Sequence, residues 1–132
     1  MKIIENTVIN ESLASEHLKI FYPYIQKEIT ELSSQNNFAG VIQAAVNYIK
    51  NLLKDAKISI ANHHIKMMGW IYSKGKTNVK IVIENIFVRS FGSFKNLVES
   101  HQWFTIYSQM PNEFQRIYIK QMRHDEILLN KK

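Results

Sequence analysis

The sequence predicts an all-α protein: one domain over residues 1–132, a compact array of about five to seven mostly antiparallel helices, frayed over about 1–11 and 125–132. Three observations point there. The stretch VKIVIENIFVRSFGSFKNLV places Val79, Val82, Ile83, Ile86, Phe87, Phe91, Phe94, Leu97 and Val98 at the i, i+3, i+4, i+7 recurrence of a helix with one broad apolar face. Val79, Ile81 and Ile83 alternate as a strand would, but Asn85 breaks the alternation while the helical pattern continues. Secondly, the chain holds 4 Gly and 2 Pro, too few turn formers for a multi-stranded fold. Thirdly, its length suits one core and is short for two, and no linker or low-complexity segment divides it.

In chain order, Asn10 or Ser12 caps a first helix, with Glu16 in its first turn. Leu18, Phe21, Tyr22, Ile25, Ile29 and Leu32 form its stripe, and Pro23 kinks or breaks it. Residues 33–37 are the linker. Asn37 caps the next helix, whose inward face is Phe38, Val41, Ile42, Ala45, Val46, Ile49, Leu52 and Leu53. Ser59 caps a third, with Ala61, Ile65, Met68, Ile71 and Tyr72 inward, Trp70 nearby and Gly75 as a left-handed stop. Thr77 or Asn78 opens the central helix, which Gly92 kinks or divides. Ser100 starts a short helix through Trp103, Phe104 and Tyr107. Pro111 is the first residue of the closing one, which carries Phe114, Ile117, Tyr118, Gln121 and Met122 before a frayed tail.

Composition narrows the chemistry. No cysteine is present, which removes disulfides, Cys-ligated zinc and thiol catalysis. The opening MKIIENTVINES has three apolar residues, Met1, Ile3 and Ile4, before Glu5, against roughly 7–15 in a secretory core. No run approaches the ~20 apolar residues of a membrane span. A cytoplasmic location and no membrane partner are expected. The formal charge is +6, and residues 51–83 carry Lys54, Lys57, Lys66, Lys74, Lys76 and Lys80 against Asp55 alone. Such a region attracts nucleic acid or an acidic protein. It also fits plain enrichment in Ile, Lys and Asn, and only Arg89, Arg116 and Arg123 supply the planar fork suited to phosphate.

Candidate sites are few. His63 and His64 point about 100° apart on a helix, and their i+4 neighbours are Met67 and Met68, so a helical metal pair is not formed. Glu84, Asn85 and Arg89 interrupt the central helix, with Asn85 and Arg89 at i, i+4 and Lys80 one such step before Glu84. They form either a polar binding patch or a solvated face. Glu84 has no second carboxylate or His at a catalytic spacing. Trp70, Tyr72, Trp103, Tyr107 and Tyr118 stack on bases or, as is usual at helical spacing, pack at the core and its rim. No polar, Arg-rich recognition helix stands out.

One stretch is familiar. Tyr72, Lys74-Gly75, Val79-Lys80, Ile83-Glu84-Asn85, Phe87-Val88 and Ser90-Phe91 resemble a segment of small all-α bacterial proteins of uncharacterised function. MPNEFQRIYIKQM resembles their closing helix at Pro111, Tyr118 and Gln121, with Met110 where Leu is usual. The resemblance implies a cytosolic helical domain, of a kind that includes immunity partners of bacterial toxins, and it transfers no catalytic residue.

The expected function is therefore a non-enzymatic helical protein-interaction module with an acidic protein partner and no cofactor, in its narrower form a toxin-neutralising protein. The partner-binding residues expected are Tyr72, Lys76, Lys80, Glu84, Asn85 and Arg89. The alternative is a nucleic-acid-binding regulator using the basic region 54–80, and a third reading is an enzyme with a hidden site.

Overall fold

The computed structural model describes residues 8–130. Seven helices follow one another: α1 (Glu11–Phe21), α2 (Gln26–Ser34), α3 (Phe38–Lys54), α4 (Ile58–Lys74), α5 (77–95), α6 (Ser100–Gln109) and α7 (Asn112–Asn130). Among the described residues there is no strand, and a lone parallel bridge joins Ile9 to Gly75. The fold is all-α.

Local chemistry sets most boundaries. The Asn10 side chain accepts from Leu13 N–H and starts α1. Pro23 breaks the helix rather than kinking it: α1 ends at Phe21, Pro23 heads a single 3₁₀ turn, and α2 begins at Gln26. Asn37 caps α3 through Gly40 N–H, and every residue of the predicted inward face of α3 is buried. Its neighbours are α1, α2, α4 and α5. The role of central helix, expected of residues 79–98, is thus shared with α3.

Four details differ from expectation. Ser59 lies inside α4, which starts at Ile58 with Lys57 as an uncapped lead-in. Thr77 and Asn78 likewise sit inside α5, behind Lys76. Gly75 is extended (φ −78°, ψ 149°), not left-handed. Glycine is needed there for space, because a Cβ would stand 2.6 Å from Val79 Cγ1. The third surprise is α5 itself. It is not divided at Gly92, which lies in regular helix. Its irregularity comes earlier, as a π segment at Ile83–Phe87 and a 3₁₀ turn at Val88–Ser90. Consecutive Phe87 and Val88 in this stretch are both fully buried, so Val88 joins the core. Lastly, α7 begins at Asn112, with Pro111 packed on Gly69, and stays helical to Asn130. Of the ends expected to fray at 1–11 and 125–132, residues 8–10 lead into α1, Glu11 opens it and 125–130 belong to α7, and the remainder lies outside the described residues. Ile9 holds the chain start by exchanging backbone hydrogen bonds with Lys74 and Lys76, both 2.8 Å.

The aromatic half of the core joins α5 to the last two helices. Phe91 meets Phe87, Phe94, Phe114 and Tyr118 at ring separations of 5.6–5.9 Å. Trp103, Tyr107 and Tyr118 close over it, so these aromatics pack on one another. This packing lays α7 beside the irregular part of α5.

Candidate partner-binding groove

Between α5 and α7 runs an open groove of about 720 Å³, with the end of α4 at one side. Tyr72 comes from α4, and Glu84, Asn85 and Arg89 from the irregular stretch of α5. Arg116, Lys120, Gln121, Arg123 and His124 come from α7, with Ile117 and Ile127 as apolar spots.

The walls are held from below. The Tyr72 ring packs edge-on to Phe114 at 5.7 Å, and its hydroxyl donates to Glu84 Oε2 at 2.5 Å. Burial first, then the bond to Glu84, pushes that hydroxyl well above the usual tyrosine range, so it remains a donor. In the π turn, Val88 N–H donates to Ile83 O, one residue further back than in an α-helix. Glu84 O accepts instead from Gln121 Nε2 at 2.9 Å, and Ile86 O from Ser90 Oγ at 2.7 Å. A carboxamide of α7 thereby ties the bulge of α5 to its neighbour.

The charge in the groove is mostly positive. Arg89, Arg116, Lys120 and Arg123 line it against Glu84. Arg89 Nη1 donates to both oxygens of Asp125, at 3.0 and 2.8 Å. The other ion pairs among the described residues are Lys19–Glu16 and His101–Glu99. Arg116, Lys120 and Arg123 are therefore unpaired there, and all three are exposed. They stand at i, i+4 and i+7, on one face of α7.

Of the residues expected to bind a partner, Tyr72, Glu84, Asn85 and Arg89 come together. Lys80 reaches the rim with its Nζ 5.4 Å from the Tyr72 ring centroid, and forms no ion pair with Glu84. Lys76 does not belong. It leads into α5, gives its N–H to Ile9 O, and lines a separate depression with Val8 and Ile81. Sequence reasoning missed the α7 contribution, although the 116, 120, 123 spacing was visible as a signal. Of the other lysines of the central region, Lys57 borders a depression beside Tyr24 and Tyr48, whereas Lys66 lines one beside His63, Met67 and Trp70, and Lys74 lies over the same Trp70.

Two other hollows, of about 740 and 300 Å³, concentrate no charge: the first is lined by one Asp55 and one Lys57, and the second holds Glu11 among neutral Asn and Ser side chains. His64 lines the larger, with Nδ1 2.9 Å from Ile60 O and its ring against Tyr22 and Tyr48, while His63 is exposed.

A family model described as Domain of unknown function (DUF7674) matches residues 15–124, a span that contains α1 from Ser15 onward and the groove as far as His124. No curated protein and no solved structure matches the chain.

Proposed function

The chain belongs to the DUF7674 family, and on that footing we infer that it is a non-enzymatic helical protein-interaction module whose α5–α7 groove receives an acidic partner protein. The observation that carries this is the unpaired row Arg116, Lys120 and Arg123 on a wall anchored by Gln121 and Tyr72. Steering comes from the net positive field, and affinity from Arg side chains with Ile117 and Ile127 in the same lining. Glu84 and His124 share the groove, but one Glu84 oxygen already takes the Tyr72 hydroxyl, and the reading stays with binding. Lys57 lies apart from Lys66 and Lys74, which flank Trp70, and this division of the basic region favours the protein reading over the nucleic-acid one. Neutralisation of a toxin is the narrower form of the same proposal.

The test is co-purification from the source cells, with nuclease present, of the native chain and an R116S/K120S/R123S variant. An identified protein that binds the native chain again when both are pure, is released by salt, and is lost with the variant supports the reading. Release by nuclease, or equal retention by the variant, overturns it. If expression of the captured protein arrests growth and co-expression of this chain restores it, the toxin-neutralising form stands.

A further inference from the structure

The groove also carries information on the shape of its occupant, given the acidic-partner reading on which this step rests. We propose that the segment bound is an acidic amphipathic α-helix, with carboxylates recurring at i, i+4 and i+7, laid along α7.

The first ground is spacing. Arg116 and Arg123 lie seven residues apart on α7, about 10.5 Å along its axis, with Lys120 between them on the same face. A helical ligand repeats its own carboxylates with the same rise and phase, so all three charges meet without strain in either chain. The second ground is that the groove offers side chains and no backbone. Both walls are helix, and the carbonyls disturbed by the π turn are already satisfied: Ile83 O by Val88 N–H, Glu84 O by Gln121, and Ile86 O by Ser90. An extended segment would find no edge on which to satisfy its own N–H and C=O groups, whereas a helix brings its hydrogen bonds with it. The third ground is the apolar remainder. Ile117 and Ile127 lie near the two ends of the lining on α7, ready for the apolar stripe of an amphipathic helix. Glu84 and Asp125 set the limits of the acid-accepting strip, since a carboxylate against either is repelled.

Three Ala-rich peptides of about 15 residues, near the length at which isolated helices become marginal, test the proposal by calorimetry against the whole chain. The first carries Glu at i, i+4 and i+7. The second has the same composition with Glu at i, i+2 and i+5, spread around the helix. The third is the first with a central Pro. The expected result is that the first binds at least about tenfold more tightly than either other, with its helicity rising on binding, and that the R116S/K120S/R123S variant loses it. Melting of that variant near the native temperature confirms that its fold is intact. Equal binding of all three peptides, lost with the variant, overturns the helical ligand while leaving the acidic groove. Equal binding unaffected by the variant overturns the groove as well. Absence of binding by every peptide, or displacement of the first by inorganic polyphosphate at a lower charge concentration, also overturns the helical ligand.

Discussion

At the residue scale, the side chains that decide stability are those enclosed on every side. Phe87 is fully buried and touches the rings of Phe91, Phe94 and Phe114 at 5.8, 6.1 and 5.8 Å. Truncating Phe87 to Ala leaves a cavity that its neighbours on α5 and α7 cannot fill, and is expected to cost about 3–5 kcal/mol in urea unfolding. An unchanged midpoint would mean that the inward side of α5 is wrongly placed. His64 gives a pH dependence. Burial is its largest influence and lowers its affinity for a proton, with His63 adding to this, while the Ile60 and Phe21 carbonyls pull the other way. A histidine with a depressed folded value binds fewer protons folded than unfolded, so its contribution is present above about pH 6.5 and is lost as the pH falls through the folded value. Thermal melts from about pH 8 to 5 should show this loss, and His64→Gln should flatten it. Identical profiles for the two proteins would remove His64 as the cause.

At the scale of the element, α5 shows how packing overrides local preference. Its sequence reads as a continuous amphipathic helix, and so it is, but the π turn and the 3₁₀ turn were not legible in it. Every residue there is compatible with regular helix. The irregular stretch is a part of α5 in contact with α3 and α7, and Phe87 and Val88 within it are both fully buried. Gly92, the expected point of division, instead lies in a regular turn with open space where a Cβ would go. Gly92→Ala is therefore expected to stabilise the protein by about 0.5–1 kcal/mol in denaturant titration, through the unfolded chain and helix propensity. A loss of stability would show that α5 needs a soft joint at that position. Capping follows the same lesson. Asn10 and Asn37 were legible because their side chains act on their own helix, whereas Ser59, Thr77 and Asn78 lost that place to neighbours once Lys57 and Lys76 were positioned by adjoining chain.

At the scale of the whole molecule, α7 has two halves. Phe114, Gln115, Ile117, Tyr118 and Gln121 rest on the body, while every residue from Met122 to Asn130 is exposed. Ending the chain after Glu126 removes Ile127, Leu128 and Leu129, which are each more than half exposed, and should change unfolding stability by less than about 1 kcal/mol. A larger loss would show that these residues pack on the molecule after all. The sequence by itself determined the helical class, the inward faces of α3 and α4, an interruption at Pro23 and the Asn37 cap. All of these depend on spacing and chemistry within about one turn of chain. It also marked Tyr72, Glu84, Asn85 and Arg89 as polar exceptions on apolar helices. Only the tertiary structure decided that Arg116, Lys120 and Arg123 face those residues across a groove, that Lys76 does not, and that Arg89 pairs with Asp125, 36 residues away. The reason is physical: periodicity specifies which side of a helix is inward, but not which neighbour covers it. That depends on how whole faces fit together, and here the aromatic joint between α5 and the last two helices makes the choice.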